Sequence, residues 1–196
     1  MVNSTIMPVR NQLITADEVK KRGIVPVALA TPNSSLESFR KGVPQAGARY
    51  GAVNKPFLSP LGVPCVQPPY GLLSAVDLDS RKVIWSRPLG LADRMGPLGH
   101  ASGIPANMGL PTLGGSVTTK SGLTFIAATP DRRIRAFETA TGKLLWSADL
   151  PANANAIPMT YVGKDGRQYV VIAAGGSSAL ASNEKNILVA FALPSK

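Results

Sequence analysis

The segment from 113 to 146, LGGSVTTKSGLTFIAATPDRRIRAFETATGKLLW, most restricts how this chain can fold. Apolar and polar residues alternate between short turns that carry glycine, the pattern of successive antiparallel hairpins. The alternation predicts strands at 114–118, 123–128, 133–137 and 144–148. Lys120-Ser121-Gly122 turns the first into the second, and Thr139-Ala140-Thr141-Gly142-Lys143 turns the third into the fourth. Four consecutive short strands punctuated in this way make one blade of a β-propeller.

The same pattern occurs twice. AVDLDSRKVIW at 75–85 aligns with AFETATGKLLW at 136–146, so that Ala75 matches Ala136, Asp77 matches Glu138 and Trp85 matches Trp146. Internal repetition at fixed spacing is the mark of a repeat architecture. The chemistry of the repeated positions fits a blade. Gly142 supplies the positive φ of a tight turn, the acidic residue ends a strand, and tryptophan is an apolar plug between sheets. The expectation is a buried Trp146 with Gly142 beneath it.

Further strands are expected at 71–78, 82–88, 156–162, 168–174 and 187–193, with a turn at Gly163-Lys164-Asp165-Gly166-Arg167. The first 13 residues read as a strand entered part-way. Thr15 and Glu18 have capping-box spacing for a short helix. Residues 23–70 are rich in Pro, Gly, Ser and Asn and read as a long covering loop. The expected division is therefore 1–70, a partial strand and long loop of an incomplete blade, and 71–196, the blades proper. The fold class is all-β: a partial propeller of about two to three blades. Counted this way, the chain offers part of a blade, two outer strands, one full blade and three strands of another. It reads as the C-terminal piece of a larger propeller.

Composition excludes several classes. One cysteine, Cys65, permits no disulfide framework and reads as a small buried hydrophobe. No run of about 18 apolar residues marks a membrane helix, and MVNSTIMPVR lacks signal-peptide character. The net charge is +10, but the basic residues are scattered, with Lys20-Lys21-Arg22 as the longest run. No nucleic-acid motif accompanies them, so the charge reads as solvated surface and no nucleic-acid partner is expected. No His/Cys spacing suggests a metal site.

The motif A-x-[DE]-x-x-[TS]-G-K-x-x-W resembles the tryptophan-docking motif of quinoprotein dehydrogenases, eight-bladed propellers that bind pyrroloquinoline quinone (PQQ). NKPFLSPLGVPC at 54–65, NMGLPTLGG at 107–115, PMTY at 158–161 and QYVVIAAGG at 168–176 resemble the C-terminal portion of the membrane-bound glucose/quinate/shikimate branch. The resemblance implies oxidation of a sugar or cyclic polyol with PQQ and transfer of electrons to ubiquinone, on the periplasmic side of the inner membrane. It implies a divalent cation, Ca or Mg, held mainly by N-terminal blades that this chain lacks, as are the catalytic base and the signal or anchor. The chain's first partner would be that N-terminal remainder. No catalytic or metal residue is expected on this chain, and alone it is expected to be inactive. The alternative is a non-enzymatic PQQ-like-repeat propeller that scaffolds protein assembly. The matches at 107–115 and 158–161 favour the enzyme, since a scaffold needs only the blade motif.

In a propeller the ligand lies at one mouth, on the links from second to third strands and from fourth strands to the next blade. That places Thr129-Pro130-Asp131-Arg132 and residues 89–112 at the mouth. By resemblance Asp131 matches an aspartate lying near PQQ, while a turn-capping role is its plain alternative. Arg132 and Arg133 depart from the family pattern. An arginine fork suits a carboxylate of PQQ or of an anionic substrate. Asp131 and Arg132 are therefore the candidate cofactor-binding residues, and Ala75, Trp85, Ala136, Gly142 and Trp146 the structural docking motif. The lone His100 lies in the mouth loop as a candidate proton acceptor. Ser177 stands where glucose enzymes carry a histidine, which counts against glucose as substrate.

Overall fold

The computed structural model describes residues 1–24, 43–44, 47–176 and 186–193. In chain order the strands are β1 (Val2–Thr5), β2 (Val9–Thr15), β3 (Val43–Pro44), β4 (Tyr50–Pro56), β5 (Gly71–Asp77), β6 (Lys82–Pro88) and β7 (Ser116–Thr118). They continue with β8 (Leu123–Ile126), β9 (Arg133–Glu138), β10 (Leu144–Asp149), β11 (Met159–Val162), β12 (Gln168–Ala174) and β13 (Ile187–Ala192). An α-helix, α1 (Ala16–Lys21), follows β2. The strands form antiparallel sheets in the orders β1-β5-β6, β10-β9-β8-β7 and β11-β12-β13, and a separate sheet β2-β4-β3.

The first three sheets are successive blades. The middle one is the four-stranded meander expected from 113–146. Its second strand stops at Ile126, two residues early, because Ala128 turns to φ 51°. The first blade has three strands where the sequence showed two, since β1 pairs with β5 from Val2↔Ser74 to Thr5↔Gly71. Part of a blade and two outer strands, counted separately above, are thus one sheet.

Two apolar layers hold the blades together. Leu73, Leu89, Ile126, Ala128 and Phe137 fill the space between the first and second, with Met1 and Trp85 against them. Ala127, Ile134, Leu150, Ala152, Ala154, Ile172 and Ala174 fill the next, with Val189 and Phe191 packed on it. Strand β9 serves both layers because alternate residues face opposite sides. Ile134 points to the third blade and Phe137 to the first, which explains its nearly continuous burial.

The division of the chain differs from the expected 1–70 and 71–196. Residues Met1–Ile6 and Gln67–Lys196 form one unit, and Met7–Val66 a second. β1 therefore belongs with the blades. Within the second unit β2 and β4 pair over seven positions, from Val9↔Pro56 to Thr15↔Tyr50, and β4 lies in the stretch expected to be an irregular loop. Gly51, Asn54 and Pro56 hide the alternation of β4. Ile14, Ile24 and Val53 make a small core, flanked by Val19. Thr15 caps α1 by accepting from the Glu18 amide at 3.3 Å. The Glu18 carboxylate bonds Arg22 Nε at 2.8 Å, so only half of the capping box is made.

The docking motif works across blades, and this corrects the expectation for Trp146. Both repeats keep one register, Ala75 opposite Trp85 and Ala136 opposite Trp146, each beside a bulge. Trp85 crosses to the second blade, where its Nε1 donates to the Thr139 carbonyl at 3.0 Å. Its ring lies on Gly142. Trp146 is 38% exposed and meets the third blade through Phe191, edge to face at 5.1 Å between ring centres. The turn beneath Trp85 is supplied by the next blade, so Gly142 serves Trp85. A Cβ at Gly142 would lie 2.6 Å from two ring carbons of Trp85, at φ 69°. Gly142→Ala should therefore cost more than about 1 kcal/mol and shift the tryptophan emission to the red. Unchanged emission and an unchanged unfolding midpoint would contradict this packing.

Candidate functional site

The link from β8 to β9 is the structural centre of the expected mouth. β8 ends at Ile126 and β9 starts at Arg133, so six residues join them. The link is tightly wound. Ala128, fully buried, and Arg132, exposed, both take positive φ, 51° and 55°. Such backbone is uncommon for non-glycine residues and carries a strain cost.

Asp131 anchors the link. Its side chain is wholly buried and both oxygens are engaged. Oδ1 accepts from Thr129 Oγ1 at 2.7 Å and Arg135 Nη1 at 3.3 Å. Oδ2 accepts from the Leu91 amide at 2.9 Å and from Arg135 Nη2. Arg135, itself buried on β9, finds its counter-charge here. A buried guanidinium is tolerated only with such a partner. The structure thus places Asp131 inside a closed ion pair, where it caps and anchors the link; none of its oxygens is left facing outward.

A second layer of charges covers the first. Arg133 grips Asp93 with two bonds, 2.8 and 2.7 Å, and its Nε lies 3.1 Å from Asp149 Oδ1. Arg94 donates to Asp149 Oδ2 at 2.7 Å and to the Asp131 carbonyl at 3.1 Å. Asp93 and Arg94 belong to a short turn at Ala92–Arg94 in the long link after β6. These contacts, with the Leu91 amide, pin the start of that link onto the second blade. The Arg133 hydrogen bond holds the Asp93 carboxyl below the usual carboxylate range, and Asp93 in turn raises Arg133; partial burial opposes both shifts. A depressed carboxyl stabilises the folded state above its unfolded value, about 3.9, and that contribution disappears as pH falls through the folded value. The denaturation midpoint should therefore fall below pH 4, and Asp93→Asn should flatten that fall. An equally steep fall in the variant would remove Asp93 from the account.

Arg132 differs from its neighbours. Its carbonyl accepts from the Leu150 amide at 2.8 Å and lies 3.4 Å from Arg94 Nη1. Its guanidinium is exposed and has no partner among the described residues. In the link from β10 to β11, Asn155 carries a buried Oδ1 that accepts no hydrogen bond among the described residues. The Gly176 amide after β12 donates to the Asn153 carbonyl at 2.9 Å, so the third blade's end joins the same region. His100 is exposed, and among the described residues only its backbone amide is bonded, to the Pro97 carbonyl. Ser177 lies outside the described residues. Among the described residues no group of three or more metal-ligating side chains occurs, and no helix is long and apolar enough to cross a membrane. Cys65, expected as a buried hydrophobe, is exposed.

Sequence reasoning found the link but not the Asp93, Arg94 and Asp149 clamp. Asp93 and Arg94 lie 40 and 55 residues along the chain from their partners Arg133 and Asp149, and no local pattern reports them. The one available signal was the clustering of Asp and Arg at 93–94 and 131–133.

Comparison with known proteins agrees with this architecture. The family model "PQQ: Glucose/ethanol/alcohol dehydrogenase, beta-propeller domain" matches residues 1–170. A probable quinate dehydrogenase (quinone) of Xanthomonas campestris pv. juglandis is 46% identical over 184 residues, 93% of this chain and 22% of that protein. The glycerol dehydrogenase large subunit of Gluconobacter oxydans is 39% identical over 99% of this chain and 26% of its own length. The quinoprotein glucose dehydrogenase of Escherichia coli is 44% identical over 77% of this chain and 19% of its own. The chain spans about a fifth to a quarter of these relatives. With its blades, its inter-blade tryptophan contacts and a family match over most of its length, the chain belongs to the glucose/ethanol/alcohol dehydrogenase β-propeller family of PQQ proteins.

Proposed function

We propose that the chain is the C-terminal part of a quinoprotein dehydrogenase that oxidises a sugar or cyclic polyol with PQQ. The observation that carries this reading is the extent of similarity: 93% of the chain aligns with a probable quinate dehydrogenase, not the blade motif alone. The scaffold alternative needs only the motif and leaves that extent unexplained.

The residues at the mouth suit the cofactor. PQQ is a planar tricarboxylate quinone and calls for cationic and polar partners. Arg132 offers an unengaged guanidinium, and the Asn155 side chain a buried polar group awaiting a partner. When bound, PQQ supplies the two-electron chemistry, and the protein supplies orientation and electrostatics. In this chain Asp131 and Arg135 hold the link in shape, and Arg94, Arg133, Asp93 and Asp149 fasten the long link above it. Asp131 acts by positioning. The divalent cation and the base that takes the substrate proton are assigned to the preceding blades, which are this chain's partner. Ubiquinone is the proposed acceptor, and the periplasmic side of the inner membrane the proposed location.

The test uses the chain assembled with the preceding blades. Dye-linked oxidation of quinate, shikimate, glucose and glycerol should require PQQ and a divalent cation. An assembled protein that neither binds PQQ nor oxidises any of the four overturns the reading.

A further inference from the structure

We propose that Arg132 recognises a carboxylate and so gives the site its preference for an acidic ligand. The inference deepens the functional reading above and rests on it.

The first observation is a charge count. Four arginines, at 94, 132, 133 and 135, gather where the β8–β9 link meets the end of β10 and the turn at Ala92–Arg94. Three aspartates face them. Asp131 is taken by Arg135, Asp93 by Arg133, and Asp149 is shared by Arg94 and Arg133. One positive charge is left over, and it is Arg132. Asp149, the acid at the end of β10, is already committed twice.

The second observation is rigidity. A surface arginine is usually a flexible solvated group. Arg132 instead sits on backbone fixed at φ 55°. Its carbonyl is held by the Leu150 amide and flanked by Arg94 Nη1, and the residue before it is wholly buried. Glycine or asparagine would occupy such a position with less strain. Non-glycine residues held in such backbone cluster at ligand sites, and this one stands at a link otherwise sealed by buried ion pairs. Because the main chain is already ordered, little of that cost falls on binding.

The ligand chemistry follows from the group. A guanidinium presents a planar fork that fits a carboxylate with two parallel bonds, whereas a neutral polyol offers no such acceptor. The carboxylate has two sources, a carboxylated polyol such as quinate, or the tricarboxylate cofactor. Both would be read by the same fork, and the experiment separates them.

The test is Arg132→Gln, with Arg132→Lys beside it, in the chain assembled with its preceding blades. KM is measured for quinate and for glucose. Quinate affinity is measured calorimetrically on the apoprotein, and PQQ affinity by quenching of tryptophan fluorescence. If the substrate carries the carboxylate, the ratio of KM for quinate to KM for glucose rises about tenfold or more in Arg132→Gln, the worth of one charge-assisted hydrogen bond. Calorimetric quinate affinity falls in parallel, and Arg132→Lys recovers part of it. Added salt weakens quinate binding in the parent and much less in Arg132→Gln. If the cofactor carries it, PQQ affinity falls about tenfold or more while the ratio of KM values keeps its parental value. Either result supports carboxylate recognition. Equal affinities for quinate and PQQ in parent and Arg132→Gln overturn it. So does a uniform rise in every KM accompanied by a lower unfolding midpoint, which would make Arg132 structural. A parent that binds PQQ and oxidises polyols while Arg132→Gln is indistinguishable sinks only this assignment. A parent that does neither sinks the functional reading, and this assignment falls with it.

Discussion

Asp131→Asn is expected to destabilise the assembled protein by about 3–5 kcal/mol, the cost of removing one partner from a buried ion pair. Arg135 is nearly as buried as Asp131, and no other carboxylate reaches it among the described residues. Asparagine keeps the shape but leaves that guanidinium uncompensated. The damage should spread, because Oδ2 of Asp131 also holds the Leu91 amide at the root of the long link. Urea denaturation measures the loss. Asp131→Asn combined with Arg135→Met should be milder than Asp131→Asn alone, since both charges are then gone. Equal stability of parent and Asp131→Asn would return Asp131 to the role of a surface turn residue and open its oxygens to a ligand.

The 196-residue chain by itself is expected to self-associate and to oxidise neither glucose nor quinate with added PQQ. The third blade shows why. β13 pairs with β12 along one edge, and no described strand pairs with the other. The outer face of that sheet presents Met159, Tyr161 and Leu188, exposed by 56%, 44% and 75%. Register places them with Tyr169, Val171 and Ala173 on one side of the pleat. Tyr161 and Tyr169 stack there at 5.3 Å, a flat aromatic surface. An open edge beside an apolar face drives association. Size-exclusion chromatography and a dye-linked assay on the purified chain test the expectation, and co-production with the preceding blades should restore both solubility and turnover. Tyr161→Glu with Leu188→Lys should improve solubility without restoring turnover. A monodisperse monomer that oxidises substrate unaided would refute it.

What the sequence disclosed, and what it concealed, follows from the range of each interaction. The strands of the second blade were legible because a period of two and the glycine turns are local. The repeat from Ala75 to Trp85 and from Ala136 to Trp146 was legible because identical positions recur in one register. Which turn a tryptophan docks on was not legible. A repeat shows equivalent positions and is silent on which copy touches which, so Gly142 was assigned to Trp146 and belongs to Trp85. Strand β4 was missed because Gly51, Asn54 and Pro56 carry turn chemistry inside a paired strand. Asp131 was singled out as a cofactor-side residue, but its enclosure in an internal ion pair could not be read locally, since it is held in part by the Leu91 amide, 40 residues upstream in the chain.

The link that takes six residues in the second blade takes sixty-five in the first, where β1 ends at Thr5 and β5 begins at Gly71. As a flexible loop the longer link would raise the entropic barrier to joining β1 with β5 by about 2 kcal/mol relative to the shorter. The inserted unit removes most of that barrier if it forms first. Its first and last strands along the chain, β2 and β4, run antiparallel, with Val9 opposite Pro56 and the Phe57 amide bonded to the Pro8 carbonyl at 2.9 Å. Its two ends are therefore brought together as soon as it folds, and what remains to close is a short tether. Folding kinetics should then show an order: the second blade and the insert early, each from nearby contacts, and β1–β5 pairing only after the insert is in place. Loosening β2 against β4 would slow completion of a blade to which neither strand belongs.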